Sequence, residues 1–142
     1  EDGPTHADPQ ALQILQENFP AGVCITLTPW EPAELWPLTI AGLKARPAVL
    51  APFVTRPNEK VPDRAALGLP PATEAMKGVY ALRTADPNAH PYHGTIVLQE
   101  SGVAYAFIDE VLPRLHQDGL RMNIYLVTSA ELFAALPAED AS

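Results

Sequence analysis

Alternation constrains this chain most: short apolar runs at 23–28, 48–54, 79–82, 95–98 and 122–127 are separated by segments whose apolar residues mostly recur at helical spacing. Strands that alternate with helices of about 10–15 residues predict parallel, right-handed βαβ connections and hence an α/β chain of parallel layers. Asp8 followed by Pro9 reads as an N-cap with proline at the first helical position, and Leu12, Leu15 and Phe19 then recur on one face up to Pro20. The run 23–28, β-branched and bounded by Gly22 and Pro29, predicts a strand. Pro32 opens a second helix with Leu35, Leu38 and Leu43 on its apolar face, and Pro37 is expected to bend it. The run 48–54 is apolar enough for a strand buried on both faces, while Pro52 argues for a sheet edge, a bulge or an early end.

From 55 to 78 prolines, charges and short apolar pairs alternate without a sustained period, which predicts a surface connection with at most a short helical turn near Asp63 to Leu67. The division expected is therefore a first unit over 1–62, a linker over 63–78 and a second unit over 79–142. In the second unit 79–82, 95–98 and 122–127 are strands. Residues 103–116 form a helix with Val103, Phe107, Val111 and Leu115 four apart, ended by Gly119. Thr128 with Glu131 reads as a capping box for a last helix through Leu136. Units this small leave edges unpaired and helix faces uncovered, so either the halves pack closely or further chain completes them.

A formal charge of −8 works against broad attraction to nucleic acid or anionic membrane, so an anionic ligand must be held by a few local cations. Cys24 is the only cysteine; among apolar neighbours it is expected to be a core thiol in a reducing compartment. No stretch approaches the roughly 20 apolar residues of a membrane-spanning helix, and the acidic start is unlike a basic leader; a cytoplasmic chain is expected. The missing initiator Met and the Glu-Asp-Gly-Pro opening, a turn composition, point to a chain without its front end.

Asp2 and His6 flank a Gly-Pro turn that can aim a carboxylate and an imidazole into one cleft, where they can hydrogen-bond and shuttle protons for a hydroxylated substrate. By themselves they equally fit a solvated acidic turn. Residues 99–103 sit between strand and helix like a nucleophile elbow, but both outer glycines are missing and no later Asp/His pair has the required order. Asp86, His90 and His93 could approach a metal, yet Pro91 prevents helical spacing and no fourth ligand is obvious, so a polar loop is expected. No glycine-rich phosphate loop is present.

The run Glu1-Asp2-Gly3-Pro4-Thr5-His6 resembles the same six residues of transketolases. The resemblance continues in order and spacing through the strand ending Val54-Thr55-Arg56, the linker, Gly78-Val79-Tyr80 and the strand-to-helix turn from Leu98 to Val103. It implies the later part of a pyrimidine-binding-type domain running into a transketolase C-terminal-type domain. Asp2 and His6 would then hydrogen-bond the hydroxyls of a ketose donor, and Arg56 would bind a substrate phosphate, a task suited to a guanidinium. The complete enzyme would transfer a two-carbon ketol unit between sugar phosphates in carbohydrate metabolism, as a homodimer using thiamine diphosphate and Mg2+. The anchors of that cofactor fall outside this chain, which by itself is expected to bind neither and not to catalyse, and to depend on the remainder of the same protein or a complementary subunit.

The sequence departs from the family at Ala7-Asp8-Pro9, at Pro57 and at Glu100-Ser101-Gly102. Lys77-Gly78-Val79-Tyr80 and Val127-Thr128-Ser129-Ala130-Glu131-Leu132 are similar to the homodimeric pyruvate dehydrogenase E1 component, which leaves a 2-oxo acid dehydrogenase open. A noncatalytic assembly module built on the same fold is the alternative of another class.

Overall fold

The computed structural model describes residues 10–54, 58, 60–88, 91–99 and 101–136. Strands β1 (Cys24–Leu27) and β2 (Val49–Pro52) pair in parallel, from Cys24 opposite Val49 to Leu27 opposite Pro52. A second sheet has the order β3 (Val79–Arg83), β5 (Met122–Val127), β4 (Gly94–Gln99). The α/β class is the expected one, and β1–β2 and β4–β5 are the expected parallel units. β3 instead runs antiparallel to β5, because what joins β3 to β4 contains no helix among its described residues to carry a crossover.

Helix α1 (Ala11–Glu17) lies against β1; its expected Asp8 cap is outside the described residues. Helix α2 (Pro32–Ala45) joins β1 to β2, with Glu31 as N-cap and Pro32 at the first position, and it continues through Pro37 as one helix. Its inward stripe is Glu34, Leu38, Ala41 and Gly42, not the expected Leu35, Leu38 and Leu43. Leu43 is five residues from Leu38, about 140° round the helix, and is 62% exposed. Close packing on β2 sets the Gly42 position, where an added Cβ would stand 2.6 Å from a Leu50 methyl.

Arg64 to Gly68 make the anticipated single turn, closed by Gly68 at φ +64° with Leu69 N–H donating to Arg64 O and Gly68 N–H to Ala65 O. A 3₁₀ helix over Ala72–Lys77, which nothing in the spacing announced, follows it. The helix between β4 and β5 consists of α3 (Ser101–Ala106), a π segment (Phe107–Val111) and α4 (Leu112–Gln117). Leu112 N–H reaches back to Phe107 O, the wide turn that accommodates Pro113, which has no N–H to give. Strict four-residue spacing drifts off a 3.6-residue helix, so Ala104, Phe107, Ile108 and Leu112 are buried while Val103 and Val111 face out. Gly119, at φ +67°, ends the helix as expected.

The capping box at Thr128 and Glu131 does not form. Ser129 caps α5 (Ala130–Ala135) by accepting from Leu132 N–H, Thr128 donates its hydroxyl to Ala75 O and Gly78 O, and the Glu131 carboxylate is taken by β1. One apolar core runs through both halves: Ile25, Leu27, Trp30 and Leu38 join Tyr80, Leu98, Phe107, Ile124, Leu126 and Leu132 in a continuous cluster. The two halves thus pack against each other through a shared core, while Trp36, Leu43, Val97 and Val103 stay exposed.

Candidate functional site

In parallel sheets ligands gather outside the carboxyl ends of the strands. Here β1 ends into Thr28, Pro29, Trp30 and Glu31, and β2 into Phe53 and Val54, with Phe53 N–H still donating to Leu27 O at 2.7 Å. Arg56 follows Val54 by two positions. Arg56, Asp2 and His6, the site residues expected from sequence, all lie outside the described residues.

What the structure does build there is a closed ionic cluster. Helix α2 starts at Glu31 and places Glu34 one turn on, and both side chains are wholly buried. Glu34 Oε1 accepts from Tyr80 Oη at 2.5 Å and from Arg64 Nη2 at 2.6 Å, while its Oε2 accepts from Trp30 N–H at 3.1 Å. Glu31 accepts from Arg64 Nε at 2.8 Å and caps its own helix through Ala33 N–H. The third face of the guanidinium donates to Pro70 O. Trp30 donates its indole N–H to Tyr80 Oη, lies under Arg64 with the guanidinium carbon 5.2 Å from its ring, and meets Tyr105 edge to face. Burial pushes the Glu34 carboxyl above the usual carboxylate range, against the hydrogen bonds from Tyr80, Arg64 and Trp30 that pull it down. Burial, with Glu34 beside it, also pushes the Tyr80 phenol up, so Tyr80 is a donor throughout the physiological range.

Chemically, the cluster is closed on itself: each carboxylate oxygen of Glu31 and Glu34, the Tyr80 hydroxyl, the Trp30 indole N–H and each guanidinium nitrogen of Arg64 has a partner in the cluster or on the backbone. It ties the end of β1, the 64–68 turn and β3 together and stiffens the carboxyl end of the parallel pair. The sequence reading did not single out Glu31, Glu34 or Arg64; a Glu-Pro-x-Glu start is what any solvated first helical turn shows.

A second tie joins the halves at the outer edge of β1. Glu131 of α5 accepts from Thr26 N–H at 3.3 Å and from Thr26 Oγ1 at 2.9 Å, and Thr28 N–H donates to Thr128 O. Cys24 is the expected core thiol, 3% exposed, with burial and then the Glu131 charge pushing its pKa up. Of the expected loop residues, His93 accepts from Arg121 N–H and Asp86 from Asn88 N–H; His90 is outside the described residues. Gln99 closes β4 and Ser101 opens α3, so the strand-to-helix turn exists where expected.

No protein-family model and no curated protein matches this chain. Solved structures do. The chain superposes on Pichia stipitis transketolase in complex with sedoheptulose-7-phosphate with a TM-score of 0.76 and 20% identity, covering 99% of this chain and 19% of that one. Against Leishmania mexicana transketolase the TM-score is 0.73 at 20% identity, with the same coverage, and against that of Campylobacter jejuni it is 0.55 at 19% identity, over 98% of this chain and 20% of that one.

The fold is that of a transketolase segment.

The resemblance carried by the run from Glu1 to His6 and by Gly78-Val79-Tyr80 thus holds for the fold across nearly the whole chain. The chain spans about a fifth of the length of the transketolases it matches. Within this transketolase-type fold Gly78 is favoured for a geometric reason: its φ is +77°, and a Cβ there would lie 2.3 Å from Ser129 O and 2.5 Å from Phe133 N, so a larger residue is strained. No helix among the described residues is long and apolar enough to cross a membrane.

Proposed function

We propose that the complete protein transfers a two-carbon ketol unit between sugar phosphates and that this chain supplies the part of it that holds the sugars. The observation that carries the proposal is the agreement in fold with transketolases over 99% of the chain, combined with the Glu-Asp-Gly-Pro-Thr-His run that opens it. A fold alone hosts many activities, so the weight falls on those named residues. In this reading Asp2 and His6 hydrogen-bond the donor's hydroxyls, with His6 able to hold or release a proton near neutrality, and Arg56 grips a substrate phosphate through paired N–H donors.

Thiamine diphosphate, with Mg2+, supplies carbanion stabilisation when bound. Among the described residues no group of three or more His, Cys, Asp or Glu side chains could hold a metal ion. In our reading the cofactor is held by other parts of the complete protein, a cytoplasmic homodimer.

The test is an assay of the complete protein, supplied with thiamine diphosphate and Mg2+, on a ketose phosphate donor and an aldose phosphate acceptor. Two-carbon transfer without release of carbon dioxide is expected. Decarboxylation of pyruvate without ketol transfer would assign the protein to the 2-oxo acid dehydrogenases, and neither activity from a folded protein would leave a noncatalytic module.

A further inference from the structure

Two backbone irregularities face each other across one cavity. In β3 the register slips between Ala81 and Arg83: Tyr80 stands opposite Leu126 and Ala81 opposite Tyr125, but Arg83 stands opposite Ile124. Leu82 and Arg83 therefore share a single partner, the geometry of a β-bulge, which re-aims a side chain. Strict alternation would send Arg83 to the face away from the core. The bulge brings it to the side of Ile124, where the helix between β4 and β5 packs. On that helix the π segment Phe107–Val111 widens the turn just before Pro113 and sets the positions of Ile108 and Leu112. Such single-turn π segments, like bulges, concentrate at functional sites.

The cavity between them measures about 300 Å3 and is lined by Arg83, His116, Leu67, Ile108, Leu112 and Pro113, with no acidic side chain among the described residues of its wall. That size is at the small end of ligand pockets. In a chain of net charge −8, a pocket whose titratable groups are a guanidinium and an imidazole is a local exception. Arg83 has no carboxylate partner among the described residues, whereas Arg64 has two.

We infer that this pocket is a binding site for a small organic phosphate, the phosphate held between Arg83 and His116 and the apolar part against Leu67, Ile108, Leu112 and Pro113. Donors that approach from a strand and from a helix suit a phosphate, which offers oxygens in several directions, better than a planar carboxylate. The inference is independent of the proposed ketol transfer. It concerns a different arginine from Arg56 and predicts binding whether or not that reaction occurs.

The experiment uses the complete protein carrying Arg56→Ala, so that the substrate phosphate site proposed above does not contribute. Inorganic phosphate and phenyl phosphate are titrated by calorimetry, and the methyl signals of Leu67, Ile108 and Leu112 are followed by NMR. One phenyl phosphate per chain is expected, bound more tightly than inorganic phosphate, with shifts at those methyls. Arg83→Gln should weaken it tenfold or more, and Leu67→Asp, a change at the exposed rim, should do the same by placing a like charge beside the ligand. No saturable binding, an unchanged Kd in Arg83→Gln, or shifts confined to other parts of the chain would overturn the assignment.

Discussion

Replacing Arg64 by Met keeps most of the side chain's apolar bulk and removes only its charge and donors, so it isolates what the guanidinium does. Arg64 is 10% exposed and holds two carboxylates that are not exposed at all. Without it Glu34 retains the Tyr80 hydroxyl and the Trp30 N–H, and Glu31 retains only Ala33 N–H. Two buried negative charges are then left without a cation, and breaking a buried pair in this way costs about 3–5 kcal/mol. For a chain of this size that corresponds to a fall in Tm on the order of 10 °C. Unfolding is best followed by the fluorescence of Trp30, in a Trp36→Phe background so that the buried indole alone reports. Because the cost is uncompensated charge, it should shrink when acid protonates the carboxylates, and Arg64→Met with Glu34→Gln should recover part of it at neutral pH. A loss below about 1 kcal/mol that does not vary with pH would mean that water already solvates the cluster and would refute the reasoning.

Gly78→Ala should destabilise by about 2–4 kcal/mol, a positive φ and a clash with fixed backbone acting together, as measured by the denaturant midpoint. Glu34 binds its proton more tightly in the folded chain than in the unfolded one, so its contribution to stability is fully present below the ordinary glutamate range and is lost as pH rises through the raised folded value. The stability of wild type minus that of Glu34→Gln should therefore fall between acid and neutral pH; a difference that grows with pH would contradict the assignment. Glu131→Ala leaves the Thr26 N–H inside the structure without its acceptor and should cost about 1–3 kcal/mol, with the Thr26 amide losing protection against hydrogen exchange.

Local signals in the sequence located most elements. The β-branched run at β1, Pro32 at the start of α2, the Asp63–Leu67 turn and Gly119 each act through neighbours in the chain, and each stands where it was expected. The misreadings fall where a distant residue competes for a local group. Glu131 has the spacing of a capping partner for Thr128 but is drawn to Thr26, 105 positions away. Glu31 and Glu34 look like a solvated first turn, yet Arg64 lies 30 positions from Glu34 and Tyr80 46 positions from it, and only the folded chain brings the three together. The antiparallel β3 was hidden for a similar reason: pairing direction depends on whether a crossover helix intervenes, which its own residues do not encode. Of the expected site, Asp2, His6 and Arg56 rest on the resemblance, while the cluster beside the carboxyl end of β1 came from the structure alone.

Kinetics of His6→Ala in the complete protein test the central claim most directly. If His6 hydrogen-bonds the donor in the transition state, turnover on a ketose phosphate donor should fall by about ten- to a thousandfold. If His6 acts on the donor alone, the denaturant midpoint should hardly move, staying within the roughly 0.5 kcal/mol of a substitution that removes no core, cap or buried-pair contact. Unchanged turnover, or a lower turnover accompanied by a large drop in midpoint, would remove His6 from the site and contradict the account.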